Sequence, residues 1–226
     1  MHLPDQSFFE FLRRLHDNND RTWFGEHKSE FQTVVHQPAV ELVSRLKRPL
    51  SRIAPMITAV AKPNGGSVMR IYRDTRFSKD KTPYKDHIGI SLKHEAGKQT
   101  SAPELYIHLS PVESFVAGGC WMPPREPLAA IRGHIDANPD AWKRATAGKR
   151  FAGRFELGGQ SLKTSPRDYP SDHPWIEDLR RKSFVGIAPL TIEQIVADDL
   201  VDRLLDDFKR LRPLMTFLCE AVGVPY

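Results

Sequence analysis

The sequence predicts an α+β fold, with a central, mainly antiparallel sheet, N-terminal helices and a long C-terminal helix packed on it. Three observations predict it. Apolar residues recur at helical spacing over residues 7–53 and again over 200–222. Between these regions apolar and polar residues alternate, as half-buried strands require. The alternating stretches are joined by short connections, which favours antiparallel neighbours. With 226 residues and no glycine- or proline-rich linker, the chain is expected to form a single domain, 1–226. Within it, 1–55 is the helical portion, 56–122 the strand-rich portion and 123–226 the mixed helical portion.

Each element has its own signal. Phe8, Phe11, Leu12 and Leu15 form a helical stripe, with Ser7 placed to cap it. Asp20 caps a second helix carrying Trp23, Phe24, His27 and Phe31, and Pro38 opens a third as a first-turn proline. That third stripe runs through Ala39, Val43, Leu46, Leu50 and Ile53, and Pro49 is expected to shorten or bend it. Strands are predicted at 57–61, 68–72, 87–93, 105–110 and 115–120, and residues 184–189 can return to the sheet. Short helices are predicted at 127–135, 139–147 and 174–182. The last helix carries Leu200, Leu204, Phe208, Leu211, Met215, Leu218 and Val222 on one side, with a kink expected at Pro213. Its acidic residues, Asp202, Asp206 and Asp207 among them, are expected to face solvent.

Composition narrows the function classes. At 40% apolar and 27% charged residues the chain reads as an ordinary soluble protein. No apolar run approaches the length of a membrane span, and the opening Met1-His2-Leu3-Pro4-Asp5 lacks the features of a signal peptide. Cys120 and Cys219 stand far apart, so a disulfide framework and a thiolate metal site are not expected, and a cytoplasmic location is. No phosphate-binding glycine loop, dinucleotide fingerprint, zinc-protease motif or nucleophile elbow is present. No cofactor and no metal site are therefore expected.

The charge is local. The chain carries a formal +5, and residues 62–98 alone hold nine Lys and Arg against four Asp and Glu. The core of this stretch, residues 70–85, presents Arg70, Arg73, Arg76, Lys79, Lys81 and Lys85, interrupted by Asp74 and Asp80. Ile71, Tyr72, Phe77 and Tyr84 are interleaved and are expected to anchor the loop to the core. Anchoring fixes guanidinium directions, as recognition of a phosphate or carboxylate requires.

The order Arg-x-x-Arg-Asp-x-Arg-Phe-x-x-x-Lys-x-x-Tyr, filled by Arg70, Arg73, Asp74, Arg76, Phe77, Lys81 and Tyr84, resembles the signature of an uncharacterised bacterial family, domain of unknown function 2461. The likeness extends upstream through Phe11-Leu12, Asn18-Asn19 and Trp23-Phe24. Downstream it takes in Gly118-Gly119, Met122-Pro123, Leu162-Lys163 and Pro166. Phe31 departs from it, standing where the family pattern has tyrosine. The resemblance implies a coherent fold and no established activity.

The motif admits an anion-binding site or a structural ion network. The anion site is the favoured expectation: Arg70, Arg73, Arg76, Lys81 and Tyr84 would bind a phosphate- or carboxylate-bearing small molecule, with enzymatic turnover left open. The polar strand face, His87, Gly89, Ser91, Tyr106, His108 and Ser110, would lie beside it if the two strands pair in register. His108, Tyr84 and Asp74 are the candidates for catalysis. A nucleic-acid partner is the alternative, because basic and aromatic residues alternate in the loop. A structural role in an interaction protein is the third. No membrane partner is expected, and oligomeric state is open.

Overall fold

The computed structural model describes residues 2–97 and 101–226; Met1 of the opening pentapeptide and Lys98 of the basic stretch lie outside the described residues. Helix α1, Gln6–Asp17, is capped by Asp5 rather than Ser7: the Asp5 carboxylate accepts the Ser7 amide at 2.9 Å and the Ser7 hydroxyl at 2.6 Å. Ser7 thus lies inside the first turn, two residues beyond the capping position. Helix α2, Arg21–Glu26, begins at Asp20, whose carboxylate accepts the amides of Thr22 and Trp23.

Pro38 does not open a separate helix. Helix α3, Lys28–Glu30, runs through a π-helical segment, Phe31–His36, into α4, Gln37–Ile53, with helical dihedrals at both joints. The Gln37 amide reaches back five residues to the Gln32 carbonyl. A proline clashes with the carbonyl four residues before it, and the widened turn relieves that clash without ending the helix. Pro49 sits inside α4, which continues to Ile53.

Six antiparallel strands follow: β1 Ile57–Thr58, β2 Ile88–His94, β3 Glu104–Leu109, β4 Ser114–Cys120, β5 Glu156–Gly158 and β6 Phe184–Leu190. Their spatial order is β1-β2-β3-β4-β6-β5. Residues 68–72, read from sequence as a strand, form only isolated bridges, Val68 with Ile90 and Tyr72 with Tyr84. The chain leaves the sheet edge there to build the basic hairpin.

Between β4 and β5 lie α5, Arg125–Ala137, α6, Pro139–Ala147, and α7, Lys149–Ala152. A four-residue α8, Ile176–Leu179, replaces the longer helix expected over 174–182. Beyond β6, the short α9, Ile192–Val196, starts at a capping box of Thr191 and Gln194. Then α10, Leu200–Ala221, runs unbroken through Pro213. Among the described residues no helix is long and apolar enough to cross a membrane.

The register sends Ile88, Ile90, Leu92, Leu105, Ile107, Leu109, Val116 and Ala188 to one face, all of them buried. Helices α4 and α10 pack on these strands. Gly89, Ser91, Tyr106, His108 and Phe115 occupy the other face.

Asp207, expected in solvent, is 3% exposed. Its two oxygens accept the Arg154 Nε and Nη2 at 2.9 Å each, and Arg154 also donates to the Pro189 carbonyl at 2.8 Å. The pair ties the turn after α7 to α10 and to the end of β6. Asp207→Ala leaves the Arg154 guanidinium without its partner and is expected to lower the unfolding free energy by about 3 kcal/mol, measured by urea denaturation. A loss below about 0.5 kcal/mol, the level of a surface pair, would show that the pair does not hold these elements together.

Candidate functional site

Residues 71–85 close into a small hairpin. The Lys85 amide donates to the Ile71 carbonyl at 2.8 Å and the Arg73 amide to the Pro83 carbonyl at 2.9 Å. Its turn is built by the carboxylates of the motif. Asp74 accepts the Arg76 guanidinium through both oxygens, at 2.9 and 2.7 Å, and the Arg76 amide at 3.2 Å. Asp80 accepts the Thr82 amide and hydroxyl at 2.9 Å each and also the Arg73 guanidinium, which donates to the Thr82 hydroxyl as well. The Thr82 amide, then Arg73 and the Thr82 hydroxyl, pull the Asp80 carboxyl down to about 2. Lys81 donates to the Thr75 carbonyl at 2.9 Å.

A two-residue pairing cannot hold itself against the body, and the N-terminal helices supply what is missing. The Asn19 side chain accepts the Tyr84 amide at 3.1 Å and donates to the Tyr84 carbonyl at 3.0 Å, as a neighbouring strand would. The Tyr84 ring stacks on Phe24, 4.1 Å between centroids, and Phe24 packs in turn on Phe31. Ile71 and Tyr84 are buried and anchor the hairpin as expected. Phe77 does not: it is 95% exposed, because the turn projects beyond the reach of the core. Tyr72 is half exposed.

The predicted site residues therefore separate into two groups. Arg76, Lys81 and Asp74 are engaged within the turn, and Tyr84 is a packing residue whose hydroxyl is pushed up by burial. Arg73 is likewise held in the turn, by Asp80 and Thr82, while its charge still reaches His87; Arg70 lies outside the turn. Lys85, whose ammonium donates to the Arg70 carbonyl at 3.1 Å, is pulled down by burial and by the nearby Arg70 charge.

Next in the chain, Asp86 sits between two imidazoles. His16 Nδ1 is 2.8 Å from one carboxylate oxygen, and His87 Nδ1 is 3.4 Å from the other. Burial pushes Asp86 up, but hydrogen bonds from His16, its own amide and His87 outweigh it and leave a net lowering. The same carboxylate raises His16. Burial dominates at His87 and holds it below its ordinary value, Lys85 and Arg73 acting in the same sense and Asp86 against it.

His108 lies across the sheet from Gly89, as the strand register predicts, and its ring is 4.3 Å from that of His87. Its other face stacks on Phe115 at 4.7 Å, nearly parallel. Burial, then the neighbouring His87, pulls it down to about 4. The Tyr106 hydroxyl is 3.4 Å from His108 Nδ1 and lies over Gly89, where a Cβ would meet it at 2.5 Å. A side chain at Gly89 would displace that hydroxyl. Farther along the same face, Ser91 donates to Glu104 at 2.6 Å.

Asp86, His16 and Asn19 were missed in the sequence. An Asp-His pair just ahead of an alternating strand signalled Asp86, and Asn19 stood in the Asn18-Asn19 pair of the family likeness without a role attached, whereas nothing local marked His16. Elsewhere in the chain, the His173 ring lies 3.0 Å from the Asp136 carboxylate and accepts the Trp175 amide. What the assembled groups offer is cationic binding beside a neutral, half-buried imidazole pair with a carboxylate behind one ring. That is equipment for holding an anion and moving a proton.

No curated protein and no solved structure matches the chain. One family does: its model, described as a conserved hypothetical protein (DUF2461), matches residues 7–217, from α1 into the last turns of α10. The chain belongs to that family.

Proposed function

We propose that the chain binds a phosphate- or carboxylate-bearing small molecule at the edge of the open sheet face, with Arg70, Arg73 and Lys85 taking the anionic group. The observation that supports this best is the crowding of positive charge beside His87. Lys85 and Arg73 both act on that imidazole, Arg70 acts on Lys85, and the nearest carboxylate, Asp86, is already shared between two histidines. Groups that disfavour one another's charge are relieved by an anion placed among them. In this arrangement His87, oriented by Asp86, accepts a proton from a bound hydroxyl or water, and neutral His108 with the Tyr106 hydroxyl positions the reacting group. The turn from Asp74 to Thr82 is the ion network that shapes the hairpin and holds Arg73 in place.

A nucleic-acid partner is supported by one feature, the exposed Phe77 ring with the Arg76 guanidinium 5.9 Å from its centroid. Base stacking there would be lost in Phe77→Ala, together with steeply salt-dependent binding of single-stranded RNA. The small molecule is favoured because the imidazole pair and Tyr106 lie on the sheet and away from that ring.

Sulfate is the direct probe, since its charge is constant over the pH range where histidines titrate, about pH 5 to 8. Arg70→Ala and Lys85→Met are expected to weaken sulfate binding about tenfold each, read by calorimetry, whereas Arg76→Ala leaves it unchanged. Equal affinity in all three would remove the site. Bound sulfate should also raise the titration midpoint of His87 in proton NMR, and binding should tighten as pH falls.

Without ligand, His108 should titrate near pH 4, against an ordinary value of 6.5. The folded chain then binds fewer protons than the unfolded chain between these values, so this contribution to stability is lost as pH falls from 6.5 towards 4. In His108→Phe the unfolding midpoint should lose that part of its pH dependence. An unchanged profile would mean that the imidazole is not held neutral by its surroundings.

A further inference from the structure

Outside residues 62–98 the sequence carries as many acidic as basic residues, but the fold does not distribute them evenly. A cleft of about 350 Å³ opens between α6, α7 and α10, and Arg144, Arg150, Lys209 and Arg212 all line it. Among the described residues none of these four is in an ion pair. Arg203 and Arg210, on the same helix, are paired to Asp199 and Asp206 at 2.9 and 2.8 Å. The carboxylate that lines the cleft, Glu220, stands at its far end, 3.7 Å from His134.

All four side chains are exposed, and packing fixes the backbone positions from which they project. Lys209 and Arg212 are three residues apart and share a face of α10. Arg144 is in the last turn of α6, and Gly148 turns the chain directly into α7, which carries Arg150. A Cβ at Gly148 would meet the Arg144 carbonyl at 2.5 Å, so the tight turn that sets the two arginines side by side requires glycine. Trp142, Phe151 and Phe217, all buried, pin the three helices beneath the cleft, with Trp142 and Phe217 5.2 Å apart.

We propose that this cleft binds a compact, multiply charged phosphate compound of the di- or triphosphate class, independently of the site at the hairpin. The volume falls in the range of small-molecule sites, about 300–1,000 Å³. Guanidinium groups match phosphate oxygens in paired hydrogen bonds, and three of them with one ammonium suit two or three linked phosphates. A nucleic-acid strand fits less well. The aromatic residue at the cleft, Phe217, is 3% exposed and offers no stacking surface, and Glu220 interrupts the positive track at one end.

Calorimetric titration of the full chain with tripolyphosphate, with ATP and with a single-stranded DNA oligonucleotide tests this. Because the hairpin is itself proposed to take a phosphate group, the cleft is isolated by titrating in the Arg70→Ala/Lys85→Met background. There tripolyphosphate is expected to bind at one equivalent, and adding Arg144→Gln/Arg212→Gln is expected to weaken it by about tenfold or more. Equal affinity for ATP and tripolyphosphate means that the phosphate chain is the recognised part, and tighter ATP means that the nucleoside is held too; either supports the cleft. Arg150→Gln/Lys209→Gln repeats the test from the remaining two cations should the first variant melt early. Absence of binding in that background, equal affinity with and without the cleft substitutions, or cleft-dependent binding of the oligonucleotide without tripolyphosphate would each overturn the proposal.

Discussion

Packing of α4 and α10 against one face of the sheet, through Ile90, Leu92, Ile107, Leu109 and Val116, is the constraint from which the rest of the molecule follows. Side chains alternate along every strand, so burying one set commits the other set to the opposite side. That side carries His87, Tyr106, His108 and Phe115. The imidazoles are therefore held by the rigidity of a sheet whose stability is supplied elsewhere. Their neutral state is favoured because burial disfavours the charged imidazolium.

The hairpin is stabilised differently, since it has little core of its own. The Asn19 amide supplies the two hydrogen bonds that a missing strand would have made, and Phe24 supplies the apolar surface. Within the turn each carboxylate has a named job: Asp74 holds Arg76, and Asp80 holds Arg73 and Thr82. An acid inside a basic motif thus serves to aim a guanidinium and not merely to reduce net charge. Because Asp74 and Asp80 are solvent-facing, their value is geometric, and salt weakens it.

Much of this could be read from residue order, and the reasons are local. The alternation of Ile88, Ile90 and Leu92 with Gly89, Ser91 and Lys93 marks a strand and assigns its two faces, whereas the pairing that sets His108 opposite Gly89 is a matter of register, which alternation alone does not fix. The stripe of α10 and the Asp20 cap are equally local signals. The π segment was hidden because its cause, Pro38, acts on a carbonyl four residues earlier and has two remedies, a break or a widened turn. Asp207 was hidden because its partner Arg154 lies fifty-three positions away. Charge counting along the chain located the hairpin, whose cations are contiguous, but not the cleft, whose cations come from two distant stretches with acids interspersed.

The Asn19 clamp has a kinetic meaning as well as a static one. The Tyr84 amide is closed off by a side chain from the turn between α1 and α2, sixty-five positions earlier in the chain. Its proton can exchange with solvent only when that turn and the hairpin separate. Hydrogen exchange at a single amide of the motif therefore reports on its contact with the turn that joins the first two helices. Anything that draws that turn away from the hairpin exposes the amide.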